Sequence, residues 1–211
     1  MEQSIGVFGQ DVLLWACLLT LTPQRPPAHE VHQHANHLLD ELKRSRAAND
    51  LPLQSVEDGC FAIAAFIDEM AMGMDDLRPT WSQYTLQAGR HNTMNAGVEL
   101  FERLEKRVRQ GPKSVLATYQ VALGLGFRGC YGLPGADPYR LVQLRRDLSI
   151  QLGVDADRDW SGGAIQRVHA EQVANLDLFK VAWFKTTSFG RALGAFLIVT
   201  GLVAITLVLA I

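Results

Sequence analysis

Cys60-Phe61-Ala62-Ile63-Ala64-Ala65-Phe66-Ile67-Asp68-Glu69-Met70-Ala71-Met72 is apolar on almost every side when wound as a helix. Cys60, Ile63, Ala64, Ile67 and Ala71 form one stripe, and Phe61, Ala65 and Met72 form the next. A helix apolar all round belongs at the centre of its bundle, so this stretch predicts an all-α domain gathered about it. Near its end stand two adjacent acids, Asp68 and Glu69. A buried carboxylate without a partner is costly. Each must therefore reach a donor, the surface or another protein, by capping a neighbouring helix or pairing with an arginine such as Arg78 or Arg90. General acid–base chemistry would need a nucleophile or base beside the pair. None is near in sequence, and no catalytic residue is assigned.

Helical periodicity continues on both sides. Ile5–Leu21 reads as a first helix, ended by the proline-rich Thr22–Pro27, and His29–Ala48 as a second. Ser55 opens the third, with Asp58 three residues on as a partial capping box. A short fourth helix is expected from Pro79 to about Gly89. The fifth, Thr93–Arg109, turns Met94, Val98, Phe101, Leu104 and Val108 inward. Outside it carries the i, i+4 pairs Glu99/Arg103, Glu102/Lys106 and Glu105/Arg109, the pattern of a solvated face. A sixth helix covers Lys113–Leu125. A seventh starts at Asp137-Pro138, with Leu141, Leu144, Leu148 and Leu152 inward and Arg140, Arg145 and Arg146 outward. A last helix is expected from about Ala164, and no segment has strand period.

The end of the chain is different in kind. Ala192–Ile211 contains 20 residues without a charge, twelve of them Leu, Ile, Val or Phe. At about 1.5 Å per residue this is a helix roughly 30 Å long, the thickness of a bilayer's hydrocarbon core. The candidate anchor residues are Ala192, Leu193, Phe196, Leu197, Ile198, Leu202, Ile205 and Leu209, in contact with membrane lipid. Lys180, Lys185 and Arg191 precede the span and keep that side cytoplasmic, while Trp183 and Phe184 suit the interfacial belt. Gly190 and Gly194 form a GxxxG, a candidate dimer face. The expected organisation is thus a cytoplasmic helical domain at 1–177 and a juxtamembrane segment with a C-terminal anchor at 178–211.

The remaining signals are mostly negative. A net charge of −2 gives no clustered basic footprint for nucleic acid. The three cysteines, Cys17, Cys60 and Cys130, sit among apolar neighbours and read as buried reduced thiols. His34, His37 and Glu41 share a helix face at i, i+3 and i+7, which leaves a membrane-bound metal enzyme as an alternative, though a solvated face has the same pattern. Gly124–Gly129 matches GxGxxG, but a helix precedes it where a dinucleotide site needs a strand; a glycine C-cap and loop accounts for it. Asp155–Asp159 imitates a calcium loop and lacks its turn glycine and closing glutamate. No cofactor and no metal are assigned.

Four segments carry a family resemblance: Phe61–Glu69, Trp81, Gly97-Val98-Glu99-Leu100-Phe101-Glu102-Arg103-Leu104-Glu105, and Leu123-Gly124-Leu125-Gly126-Phe127-Arg128-Gly129-Cys130-Tyr131. Taken in order with the terminal span, they resemble the TssL family of type VI secretion systems, related to the DotU/IcmH proteins of type IVB systems. The chain departs from the family pattern at Ala88–Ala96 and at Gly73–Asp76. The resemblance implies a hook-like cytoplasmic domain of about seven to eight helices in two small bundles, plus one C-terminal transmembrane helix. It implies a homodimer in the bacterial inner membrane, without enzymatic activity, joined to TssM- and TssJ-like membrane-complex subunits. It also implies contact with TssK- and TssE-like baseplate subunits. Asp68 and Glu69 match the family's acidic pair and are the candidate partner-binding residues. An unrelated tail-anchored helical adaptor would share the anchor but not the motif order.

Overall fold

The computed structural model describes residues 6–154. Among them run nine α-helices and no strand: α1 (Gln10–Leu21), α2 (Ala28–Arg44), α3 (Arg46–Asn49), α4 (Leu53–Met72), α5 (Arg78–Trp81), α6 (Leu86–His91), α7 (Ala96–Lys106), α8 (Lys113–Gly124) and α9 (Pro138–Leu152). Single 3-10 turns follow α7, at Val108–Gln110, and precede α9, at Gly129–Gly132.

The all-round apolar helix is central. Every residue of α4 from Asp58 to Asp68 is buried, and α1, α2, α5, α6, α7 and α8 all pack against it. Phe61, Ile63, Phe66 and Ile67 are at most 5% exposed. At about 1.5–3 kcal/mol each, these four side chains contribute roughly 6–12 kcal/mol, on the scale of a domain's whole net stability. The N-terminal segment is tied to α8: the Phe8 amide donates to Ser114 O (3.2 Å) and Thr118 Oγ1 to Phe8 O (2.7 Å). α9 lies outside this ring, packed on α8, where Gln120 Nε2 donates to Ser149 Oγ at 2.7 Å.

Several boundaries differ from the sequence expectation, each for a physical reason. α1 begins at Gln10 after Gly9, which takes φ 73°. Ser45, extended at ψ 161°, separates α2 from the single turn of α3. α4 starts at Leu53 behind Pro52 with no side-chain cap, so Ser55 and Asp58 form no capping box. Asp58 is instead 2% exposed. The expected fourth helix is two, α5 and α6, broken at Thr85, whose side chain caps α6. The expected fifth helix begins late, leaving Met94 75% exposed, and Leu100 rather than Val98 joins Phe101, Leu104 and Val108 in the core. Of the thiols only Cys60 is buried; Cys17 and Cys130 are half-buried, and all three are free. The predicted anchor, the Gly190/Gly194 face, the calcium-like run and the 177/178 boundary lie outside the described residues. Among the described residues no helix is long and apolar enough to cross a membrane.

Candidate functional site

Asp68 and Glu69 are adjacent on α4 and so point to different neighbours. Asp68 is 2% exposed. Its Oδ1 accepts from Trp81 Nε1 and from the Leu86 amide, and its Oδ2 from the Gln87 amide, each at 2.8 Å. Leu86 and Gln87 open α6, and the first amides of a helix have no partner within it. The carboxylate supplies that partner and places negative charge at the positive end of the helix. Burial pushes the Asp68 carboxyl above the usual range, and the bonds from Gln87, Trp81 and Leu86 pull it back. Neither Arg78 nor Arg90 is its counter-ion: Arg78 pairs with Asp75 and Arg90 with Asp40.

Glu69 reaches the other way. Its two oxygens accept from the Arg128 and Gly129 amides, both at 2.8 Å, pinning the loop that leaves α8. The two anchored segments converge on α7. Gln87 Oε1 accepts from the Ala96 amide at 2.9 Å, passing the capping from α6 to α7. A Cβ on Gly97 would stand 3.2 Å from Gly129 Cα, and Gly129 itself holds φ +52°. The loop then rests on Phe101, which meets Tyr131 edge-on at 4.6 Å and Phe127 at 6.1 Å. One acid thus fixes where α6 and α7 begin, and the other fixes the 128–132 loop against α7.

A second cluster went unrecognised in the sequence. Arg107 grips Asp58 bidentately, Nε to Oδ2 at 2.6 Å and Nη2 to Oδ1 at 2.5 Å. Arg103 adds a bond to Asp58 Oδ1 (3.2 Å), holds Glu99 and lies with Cζ 3.7 Å from the Phe61 ring centroid. The α7 face expected to be solvated therefore closes over α4 at Arg103, whose side chain is 14% exposed. A cleft of about 290 Å³ runs along α7 from Thr93 to Arg107. Its charges are matched by Glu99 with Arg103, Glu102 with Lys106, and Asp58 with Arg107. The only forward signal was the i, i+4 spacing, and it gave Glu99 and Arg103 but not Asp58.

Two of the histidines on α2, His32 and His34, pack against aromatic rings, and His37 faces an acid. His34 is 6% exposed and meets the Trp15 indole edge-on at 5.2 Å. His37 Nδ1 lies 3.4 Å from Glu41, and His32 packs against Trp81 and Tyr84. Among the described residues no three His, Cys, Asp or Glu side chains are grouped to hold a metal, so His34, His37 and Glu41 do not form the ligand set considered from sequence.

Among the described residues the bundle is all-helical, and its central acids are committed to helix ends, a loop and an arginine pair, so its polar centre is used for architecture. The chain belongs to the DotU family of type VI secretion system proteins, whose family model matches residues 8–211. Solved structures agree on the fold. The cytoplasmic domain of TssL from Acinetobacter baumannii superposes with a TM-score of 0.60 at 21% identity, covering 70% of this chain and 98% of that one. SciP/TssL from enteroaggregative Escherichia coli 042 gives 0.55 at 25% identity, over 68% of this chain and 83% of that one. No curated protein sequence matches the chain.

Proposed function

We propose that this chain is the tail-anchored inner-membrane subunit of a type VI secretion membrane complex, with its helical domain in the cytoplasm as a scaffold between envelope complex and baseplate. The observation that carries this is the extent of the family match, 8–211, which takes in both the helical domain and the uncharged terminal stretch. In this role the chain joins TssM- and TssJ-like subunits in the envelope and meets TssK- and TssE-like subunits from below. It pairs with a second copy through Gly190 and Gly194, where small residues allow close helix approach. Asp68 and Glu69 serve partner binding through what they hold in place, the α6 N-terminus and the 128–132 loop. Affinity purification of the full chain from native membranes tests the assignment. A TssM-like protein and baseplate subunits are expected in the eluate. Release of the chain from membranes by alkaline wash, or an eluate without either class of partner, overturns it.

A further inference from the structure

Helix α9 is apolar on two opposite sides. Leu144, Leu148 and Leu152 face the core. On the other side Tyr139, Val142 and Ile150 are 73%, 61% and 64% exposed, with exposed Arg146 among them. Positions 139, 142, 146 and 150 follow i, i+3, i+7 and i+11, one continuous helix face. An aqueous helix face ordinarily carries charge there, and aligned large apolar side chains mark a surface that is covered in use.

Charge indicates what covers it. Residues 107–154 hold seven Lys or Arg and two Asp or Glu, a net +5, whereas residues 6–106 hold eight and fourteen, a net −6. Arg107 and Arg109 are paired, with Asp58 and Glu105. Lys113, Arg128, Arg140 and Arg146 are exposed, and none of them makes an ion pair with a described residue. On α9 itself Arg140 and Arg146 are exposed beside one exposed acid, Asp147. A partly apolar helix face of net positive charge with a tyrosine at its edge is the composition of an interfacial membrane contact, and cations beside an anionic leaflet are each attracted to it. A second copy fits poorly, since a twofold pairing of this stripe sets Arg146 near its own mate. The sequence also supplies the surface: only 39 residues, 153–191, separate α9's end from the uncharged 192–211 stretch. A tether of that length keeps a bilayer at high effective concentration, so a weak patch suffices.

We propose that the outward face of α9, built on Tyr139, Val142, Arg146 and Ile150, lies on the anionic headgroup surface of the membrane that holds the chain. This rests on the tail anchor proposed above. The test is hydroxyl-radical footprinting of the full chain in nanodiscs of phosphatidylcholine alone or with phosphatidylglycerol. Tyr139 oxidation is expected to fall several-fold only with phosphatidylglycerol and to recover at high salt, while Tyr84, between α5 and α6 and 38% exposed, is unchanged. Arg146→Gln is expected to weaken the contact about fivefold, the effect of one cation near an anionic leaflet, and Ile150→Asp to abolish the protection. Circular dichroism checks that both variants, altered only at exposed positions, remain folded. Equal Tyr139 labelling in both lipids, with the chain incorporated, overturns this inference and leaves the anchor standing. Protection that rises with protein concentration in detergent assigns the face to a second copy and also overturns it. Failure of the chain to enter nanodiscs overturns both.

Discussion

Replacing Asp68 tests whether its carboxylate holds the domain together. Asp68→Ala deletes an acceptor of three 2.8 Å hydrogen bonds. Trp81 is fully buried and Leu86 is 1% exposed, so neither the indole N–H nor the Leu86 amide can turn to water. A buried donor left unsatisfied costs about 1–3 kcal/mol. Two such donors, with a small cavity, bring the loss to roughly 3–6 kcal/mol, a large part of a net stability of about 5–15 kcal/mol. Asp68→Asn keeps one oxygen for Trp81 and Leu86 but turns an NH2 toward the Gln87 amide, so about 1–3 kcal/mol is expected. Glu69→Ala exposes two amides at a surface loop where water replaces the carboxylate, for about 1 kcal/mol. With roughly 2–4 °C per kcal/mol in a domain of this size, Tm should fall in the order Asp68→Ala, Asp68→Asn, Glu69→Ala. Thermal melts of the full chain in detergent, followed by far-ultraviolet circular dichroism, measure this. A Tm for Asp68→Ala within about 3 °C of wild type, or a larger loss for Glu69→Ala, refutes the assignment.

Other positions give sharper single outcomes. Gly129→Ala places a Cβ against the Gly97 carbonyl at φ +52°, and a loss of about 2–4 kcal/mol in urea denaturation is expected from backbone strain and clash together. Asp58→Ala leaves two guanidinium groups without their shared acceptor. Because Arg107 is 40% exposed and Arg103 keeps Glu99, the loss should sit below the roughly 3–5 kcal/mol of a fully buried broken pair. The double variant with Arg107→Ala should fall short of the summed single effects by about 0.5–3 kcal/mol. His91 packs on Phe61, and its pKa is lowered to about 4 by burial and then by Arg103, Lys43 and Arg90, with Glu57 opposing. A histidine held neutral in the fold contributes stability that is present above its unfolded pKa of about 6.5 and lost as pH falls toward the folded value. His91→Leu should therefore flatten the decline in Tm between those two pH values, and an unchanged slope counts against the assignment.

The centre of the fold was legible because it depends on a local pattern. Cys60–Ile67 is apolar all round, and only a central position satisfies that. The i, i+4 pairs on α7 and the turn after it were equally local, and Glu99–Arg103, Glu102–Lys106 and Glu105–Arg109 all form. What stayed hidden depends on distant chain. Ser55 and Asp58 have capping-box spacing, yet Asp58 is drawn into the core because Arg103 and Arg107 come to it from 45 and 49 residues away. Asp68 and Glu69 were visible as acids needing donors, but four of their five donors are backbone amides, which leave no trace in residue type. The break at Thr85 was equally silent, since α6 starts where a carboxylate from α4 meets its amides.

The same geometry bears on how a family motif of two acids should be interpreted. Neither carboxylate of the pair is available as a charged surface patch, since Asp68 is buried under α5 and α6 and Glu69 is occupied by two amides. Both nevertheless act on the exterior. Through Leu86, Gln87 and the Ala96 amide, Asp68 sets where α7 begins, and through Arg128 and Gly129, Glu69 sets the loop that rests on α7. A substitution here can abolish partner binding while touching no partner, by letting two surface segments move relative to one helix. Loss of binding at Asp68 is therefore evidence of direct contact only where the domain's Tm is unchanged. Asp68→Asn keeps the shape, removes a charge that no partner can reach, and loses less stability than Asp68→Ala, so loss of partner binding is expected to follow the fall in Tm across the two variants. Equal loss of binding in both, at unequal Tm, counts against an indirect role.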